Sequence, residues 1–149
     1  MNQDSHPRKY LLYADDDVDD REIMQDMIAE IDPHLEVVML SSGLTLLEFL
    51  HSLPVHATYP FLIILDVNMP RFDGIETLQK LKSDRDLQHI PVVMFSTSNQ
   101  RQDIDRCMHF GARDFITKPI CSDELIRVTS LFSNYCHDLP AQTKTLKDQ

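Results

Sequence analysis

No run of bulky aliphatic or aromatic residues in this chain is longer than Phe61 to Leu65, far short of the roughly 20 apolar residues a membrane-spanning helix needs. The opening "MNQDSHPRKY" has no apolar segment of the secretory kind, so a soluble, cytoplasmic chain is expected. Basic residues are scarce: 14 Lys and Arg stand against 24 Asp and Glu, a net charge of −10 with pI near 4.9. That balance argues against a broad basic footprint, so neither nucleic acid nor an anionic membrane is expected as a partner. Cysteine is sparse too. Cys107, Cys121 and Cys136 lie 14 and 15 residues apart, with no C-x-x-C pair and no His at zinc spacing, which favours reduced thiols over a disulfide or metal role. Internal repeats and low-complexity tracts are missing.

What is present is one domain's worth of chain, 149 residues at 42% hydrophobic, enough to bury a core without staples. Short apolar runs alternate with segments of helical periodicity, the pattern of an α/β fold. Lys9 to Ala14 reads as the first strand. A helix follows from about Asp19 to Ile31, with Ile23, Met24, Met27, Ile28 and Ile31 on one face. Glu36 to Leu40 is the second strand, and "SSGLTLLEFLHSLP" a turn and helix stopped by Pro54. "FLIILDV", 61–67, is apolar at nearly every position before Asp66, as expected of a central parallel strand covered on both faces. Gly74 to about Lys82 is a helix, "IPVVMFS" a strand, Arg101 to Phe110 a helix ended by Gly111, and "RDFITKP" the last strand. Ser122 is the expected N-cap of a final helix, with Leu125, Ile126, Thr129, Leu131 and Phe132 available to dock it. The expected boundaries are an extension over 1–8, a domain over 9–136 and a polar, frayed tail over 137–149. Strict alternation with short connections favours an open, doubly wound, five-stranded parallel sheet over an eight-unit barrel.

In such sheets ligands bind beyond the carboxyl ends of the strands. "YADDDVDD", 13–20, puts five aspartates at the exit of the first strand. The other exits carry Asp66, then Ser96 and Thr97, then Thr117 and Lys118 ahead of Pro119. Carboxylates that converge repel one another unless a cation sits among them, and the first strand carries no basic partner. Oxygen donors without a convergent His or Cys favour Mg²⁺ or Mn²⁺ over zinc. Asp17, Asp19 and Asp20 read as a solvated loop and an acidic helix N-terminus.

These pieces resemble the receiver domain of bacterial two-component response regulators over about Tyr10 to Phe132. The acid pair at 15 and 16, "LDVNMPRFDGIE" around Asp66, "PVVMFSTS" with Ser96 and "GARDFITKP" with Lys118 occur in the family's order. The spacings are 30 residues from Asp66 to Ser96 and 22 from Ser96 to Lys118. The resemblance implies a flavodoxin-like (βα)5 fold with strand order 2-1-3-4-5. It implies that Asp66 takes a phosphoryl group from a sensor histidine kinase or a histidine phosphotransfer protein. Mg²⁺ would be held by Asp16, Asp66 and the backbone oxygen of Asn68, with Asp15 acting through water. Lys118 and Ser96, with Thr97 beside it, would contact the phosphoryl oxygens, and Phe115 sits where the family has its switch aromatic. Phe115 reads equally as a packed strand residue. Met69 and Pro70 would turn the chain after Asp66, Gly74 would permit a tight approach, and the Lys118–Pro119 bond would be cis. The loop before the third strand is longer than usual for the family.

No histidine resembles a phosphohistidine box, so the chain is expected to receive phosphate, not to supply it. It would not be a turnover enzyme beyond self-catalysed phosphotransfer and autodephosphorylation. Output would run through an unidentified protein target, or a homodimer built on the fourth helix, fifth strand and fifth helix. Three rival functions compete with this one. A phosphatase of the haloacid dehalogenase type would find its D-x-D in Asp15 to Asp17, but leaves Asp66 without purpose. A phosphorylation-independent receiver, working only as a binding module, would not need the complete residue set. A flavodoxin-like cofactor carrier would need a phosphate-cradling loop where the aspartates stand.

Overall fold

A computed structural model of the chain describes residues 9–69, 73–139 and 142–145. Strands and helices alternate strictly: β1 (Tyr10–Ala14), α1 (Val18–Ile31), β2 (Glu36–Leu40), α2 (Gly43–Ser52), β3 (Leu62–Leu65), α3 (Gly74–Ser83), β4 (Val92–Ser96), α4 (Arg101–His109), β5 (Asp114–Thr117) and α5 (Ser122–Asp138). All strand pairs are parallel. The order is β2-β1-β3-β4-β5, the doubly wound sheet that the alternation predicts.

Side chains alternate across a strand with a period of two, and here both faces are apolar. Leu12, Ala14, Ile63, Leu65, Val92 and Met94 pack with Leu46, Leu50, Leu78, Leu81 and Cys107 from α2, α3 and α4. Leu11, Tyr13, Leu62, Ile64, Val93 and Phe95 pack on the other side with Met24 and Ile28 of α1 and Phe132 of α5. Every residue of β3 and β4 is buried. Each fully buried Leu, Ile or Val side chain contributes about 1.5–3 kcal/mol of transfer free energy, which seats β3 firmly at the centre.

Helix starts follow their capping chemistry. The Asp17 side chain accepts from the backbone N–H groups of Asp19 and Asp20, so α1 opens one residue earlier than the apolar pattern alone predicts. Ser42 and Thr45 form a reciprocal capping box on α2, and Asp73 caps α3 through the Glu76 N–H. The expected cap at Ser122 is corrected: Cys121 is the cap residue, without a side-chain bond, and Ser122 is already helical. The apolar stripe of α5 is also narrower than expected. Leu125, Val128 and Phe132 pack on the sheet with Thr129 buried among them, whereas Ile126 and Leu131 turn outward, because positions 125, 129 and 132 share one helical face and 126 and 131 do not. Ile23, on α1, is likewise half exposed.

Described residues within the stretch expected to be a frayed tail make regular backbone hydrogen bonds. α5 continues to Asp138, and 142–145 return antiparallel to the long loop before β3, with Thr58 bridging Thr143. His56 N–H donates to the Lys144 carbonyl at 2.7 Å, Lys144 N–H to Ala57 at 2.8 Å and Tyr59 N–H to Gln142 at 2.8 Å. The Lys144 ammonium donates to the Leu53 carbonyl at 2.5 Å, beside the C-terminal end of α2 where a cation is favoured. Backbone pairing thus gives the loop and the returning segment a shared set of partners that the polar sequence around them conceals. Among the described residues no helix is long and apolar enough to cross a membrane.

Candidate functional site

Strand register assembles the site. β1 and β3 pair with Ala14 opposite Leu65, so the next residue on each strand, Asp15 and Asp66, emerge side by side, and Asp66 N–H still donates to the Ala14 carbonyl at 3.1 Å. β4 and β5 pair with Ser96 opposite Thr117, and Lys118 N–H donates to the Ser96 carbonyl at 2.8 Å. Four strand ends therefore meet at one edge of the sheet.

Asp15 is 1% exposed and tightly held. Its Oδ1 accepts from Asp17 N–H at 3.0 Å, and its Oδ2 from the Tyr13 hydroxyl at 3.2 Å and from Lys118 Nζ at 2.6 Å. Burial, and then the Asp15 charge, push the Tyr13 hydroxyl well above the ordinary tyrosine range, so it stays a donor. Arg21 donates to the Asp15 backbone carbonyl at 2.6 Å. Asp66 is buried too: Oδ1 accepts from Asn68 N–H at 3.2 Å and Oδ2 from Lys118 Nζ at 3.1 Å. Asp16 is exposed at the mouth. One carboxylate oxygen from each of Asp15, Asp16 and Asp66 lies within 4.8 Å of the others.

That set fits a hard divalent cation. Twice a Mg–O distance is roughly 4.2 Å, slightly less than the observed spread and within reach of a carboxylate rotation. The donors are all oxygen, with no thiol or imidazole to prefer zinc.

Lys118 is the cation the chain itself supplies. Its side chain is 11% exposed and its three N–H donors reach Asp15, Asp20 and Asp66, Asp20 at 2.8 Å. Burial alone would weaken its charge, but the hydrogen bonds to Asp15 and Asp20 and the charge of Asp66 outweigh it and raise its pKa above the usual lysine value. Lys118→Met is expected to lower the unfolding free energy by about 3 kcal/mol, because it strips buried carboxylates of their counter-charge. Urea unfolding with and without MgCl2 measures this, and added Mg²⁺ should stabilise the variant more than the wild type.

The remaining expected site residues are spread more widely. Ser96 is fully buried and its Oγ accepts from Ser98 N–H at 3.3 Å, while Thr97 points outward and is exposed. Phe115 is partly buried and packs against the core beneath α4. Asn68 is exposed, and Pro70 lies outside the described residues. Gly74 sits hard against the end of β3, its N–H donating to the Val67 carbonyl at 2.9 Å. The cis Lys118–Pro119 bond is corrected: no peptide bond among the described residues is cis. The trans form is the ordinary one even before proline, and the long lysine stem brings the ammonium into the site from it.

Asp20 is the functional candidate that sequence reasoning passed over as part of a solvated helix start. A signal existed. In a helix every Cα–Cβ bond tilts toward the N-terminus, so a carboxylate in the first turn of α1 leans back toward the strand ends. Asp17 and Asp19 behave as expected, the first as a cap and both exposed.

Known proteins resemble this chain in sequence and in fold. The family model described as the response regulator receiver domain matches 11–130. Response regulator Rcp1 of Synechocystis sp. is 31% identical over 120 residues, 79% of this chain and 82% of that protein. Two-component response regulator ORR5 of Oryza sativa subsp. japonica is 34% identical over 121 residues, 81% of this chain and 86% of its own length. Among solved structures, the phosphorylated cyanobacterial phytochrome response regulator RcpA superposes with a TM-score of 0.79 at 30% identity, covering 89% of this chain and 99% of that one. The Mn(2+)-bound form of Rcp1 gives 0.73 at 28% identity, covering 85% and 92%.

Proposed function

The chain belongs to the response regulator receiver family, a module of two-component signalling, and from that premise we propose that Asp66 is its phospho-accepting residue. One Asp66 carboxylate oxygen attacks the phosphorus of a phosphohistidine. The new O–P bond forms as the N–P bond breaks, and the electron pair leaves with the imidazole nitrogen, which takes up a proton. The observation that carries this reading is a buried carboxylate at the end of the central strand, 3.1 Å from the Lys118 ammonium and within 4.8 Å of two further acids.

The other residues have assignable work. Asp15, Asp16, Asp66 and the backbone oxygen of Asn68 would hold Mg²⁺ or Mn²⁺, and a relative described as Mn(2+)-bound supports that choice. When bound, the cation neutralises charge on the transferring phosphoryl oxygens. Lys118 donates to one of those oxygens as a point charge, and Ser96 offers its hydroxyl to another, with Thr97 at the rim. Phosphorylation adds charge and acceptor oxygens at the strand ends, which draws Ser96 inward and biases a two-state surface in which Phe115 moves with it. The surface so switched is α4, β5 and α5, and it meets a target protein or a second copy of the chain. The donor is a sensor histidine kinase or a histidine phosphotransfer protein, in the cytoplasm. The module signals; it does not turn over a substrate.

Incubation with acetyl phosphate and Mg²⁺, with intact-protein mass as the readout, tests the reading. The expected result is one phosphoryl adduct, removed by hydroxylamine as an acyl phosphate is. No adduct, in a protein that binds Mg²⁺, would overturn it in favour of a phosphorylation-independent binding module. Continuous hydrolysis of a phosphate monoester would overturn it in favour of a phosphatase.

A further inference from the structure

The Lys118 ammonium has three protons to donate, and three carboxylates take them, at 2.6 Å from Asp15, 2.8 Å from Asp20 and 3.1 Å from Asp66. Those three acids are not equivalent. Asp15 and Asp66 belong to the oxygen cluster that suits a divalent cation, and Asp20 does not. It stands in the first turn of α1, and among the described residues its carboxylate hydrogen-bonds only to Lys118. A dication seated among Asp15, Asp16 and Asp66 competes with the ammonium for two of its three partners and repels it by like charge. With Asp20 alone left uncommitted, the lysine has one anchor that the metal does not claim.

We propose that Asp20 is a positioning residue, whose carboxylate keeps the Lys118 amine in the site, directed at Asp66, while a divalent cation occupies the acidic cluster. The inference rests on Asp66 being the phospho-acceptor, because only then does the lysine's place over it matter. The surroundings favour a held lysine: Lys118 Nζ lies 6.0 Å from the centre of the Phe95 ring, and Phe95, Tyr13, Met24 and Leu125 line the hollow into which Asp20 and Lys118 project. Packing alone does not hold the amine, since the hollow opens to solvent past Ile23 and Ile120, both exposed. Once Asp20 loses its charge, a metal-loaded site has nothing to keep the ammonium from swinging out through that opening.

Modification of Lys118 by an amine-reactive ester, with peptide mass mapping at increasing Mg²⁺, reads this directly. In the wild type, saturating Mg²⁺ should change the Lys118 labelling rate less than about twofold. In Asp20→Asn it should raise the rate about fivefold, as loss of one partly exposed ion pair implies. Asp20→Glu, which keeps the charge, should restore most of the protection. A merely structural aspartate would not give a metal-dependent change that glutamate reverses. Equal labelling of wild type and Asp20→Asn at saturating Mg²⁺, with uptake by both verified by calorimetry, would overturn the proposal, as would failure of the wild type to bind Mg²⁺. The labelling needs only metal and lysine, so it fails or succeeds separately from the acetyl phosphate assay that tests Asp66.

Discussion

Asp66→Asn is expected to take up no phosphoryl group from acetyl phosphate on the timescale in which the wild type is fully modified. The amide keeps the shape of the side chain but carries no negative charge, and its nitrogen lone pair is delocalised into the carbonyl, so the anionic nucleophile is gone. A fall in rate of at least two orders of magnitude, about 2.7 kcal/mol of barrier, is the minimum consistent with the proposed role. The fold should survive. Asn is isosteric, Lys118 retains Asp15 and Asp20, and one charge fewer in a crowded acidic cluster relieves repulsion. The melting temperature should therefore equal or exceed that of the wild type in the absence of Mg²⁺, and Mg²⁺ binding should weaken. Intact-mass time courses, thermal melts and Mg²⁺ titration measure all three. Adduct formation at the wild-type rate would mean that another residue is the acceptor.

Gly74→Ala is expected to cost about 4 kcal/mol or more, a large part of the roughly 5–15 kcal/mol that holds an ordinary domain together. A Cβ at position 74 would stand 1.9 Å from the Asp66 carbonyl oxygen, 2.7 Å from its carbonyl carbon and 2.8 Å from the Val67 Cα. All three are backbone atoms, so no side-chain rotamer can make room. Relief requires moving either the start of α3 or the end of β3, and the second displaces Asp66 itself. Close approach imposes the glycine here. Urea denaturation at about 25 °C gives the free energy, and phosphoryl uptake in the surviving folded fraction should fall with it. A loss below about 1 kcal/mol would show that α3 is not seated against β3 as described.

Much of this architecture is legible in local pattern. Glu36–Leu40 reads as a strand because its residues are extended in preference and bounded by turn formers, and β2 has those limits. "FLIILDV" reads as a strand buried on both faces because it never alternates, and β3 is the buried centre of the sheet, though only Leu62–Leu65 pair regularly. Gly111 does end the fourth helical segment, with a φ of 103° that glycine adopts freely. The failures are equally physical. Ser122 carries the right side chain for a cap but falls one residue inside α5, because capping depends on where the backbone turns, not on composition. The Lys118–Pro119 bond is trans, and nothing in a dipeptide announces its isomer.

By itself the sequence determined the fold class and the edge of the sheet on which chemistry could gather, because periods of about 2 and 3.6 and the polarity of strand exits are properties of neighbouring residues. Only the tertiary structure decided which of the acids at the strand exits meet, since that depends on register between strands far apart in the chain. Asp15 and Asp66 come together because Ala14 lies opposite Leu65. Lys118 meets Asp20 from 98 residues away and Asp15 from 103, and 142–145 find the loop before β3 by backbone hydrogen bonds to which side-chain pattern is blind. Contacts of that kind are fixed by three-dimensional packing, where residues distant in sequence compete for the same few oxygens and the same ammonium.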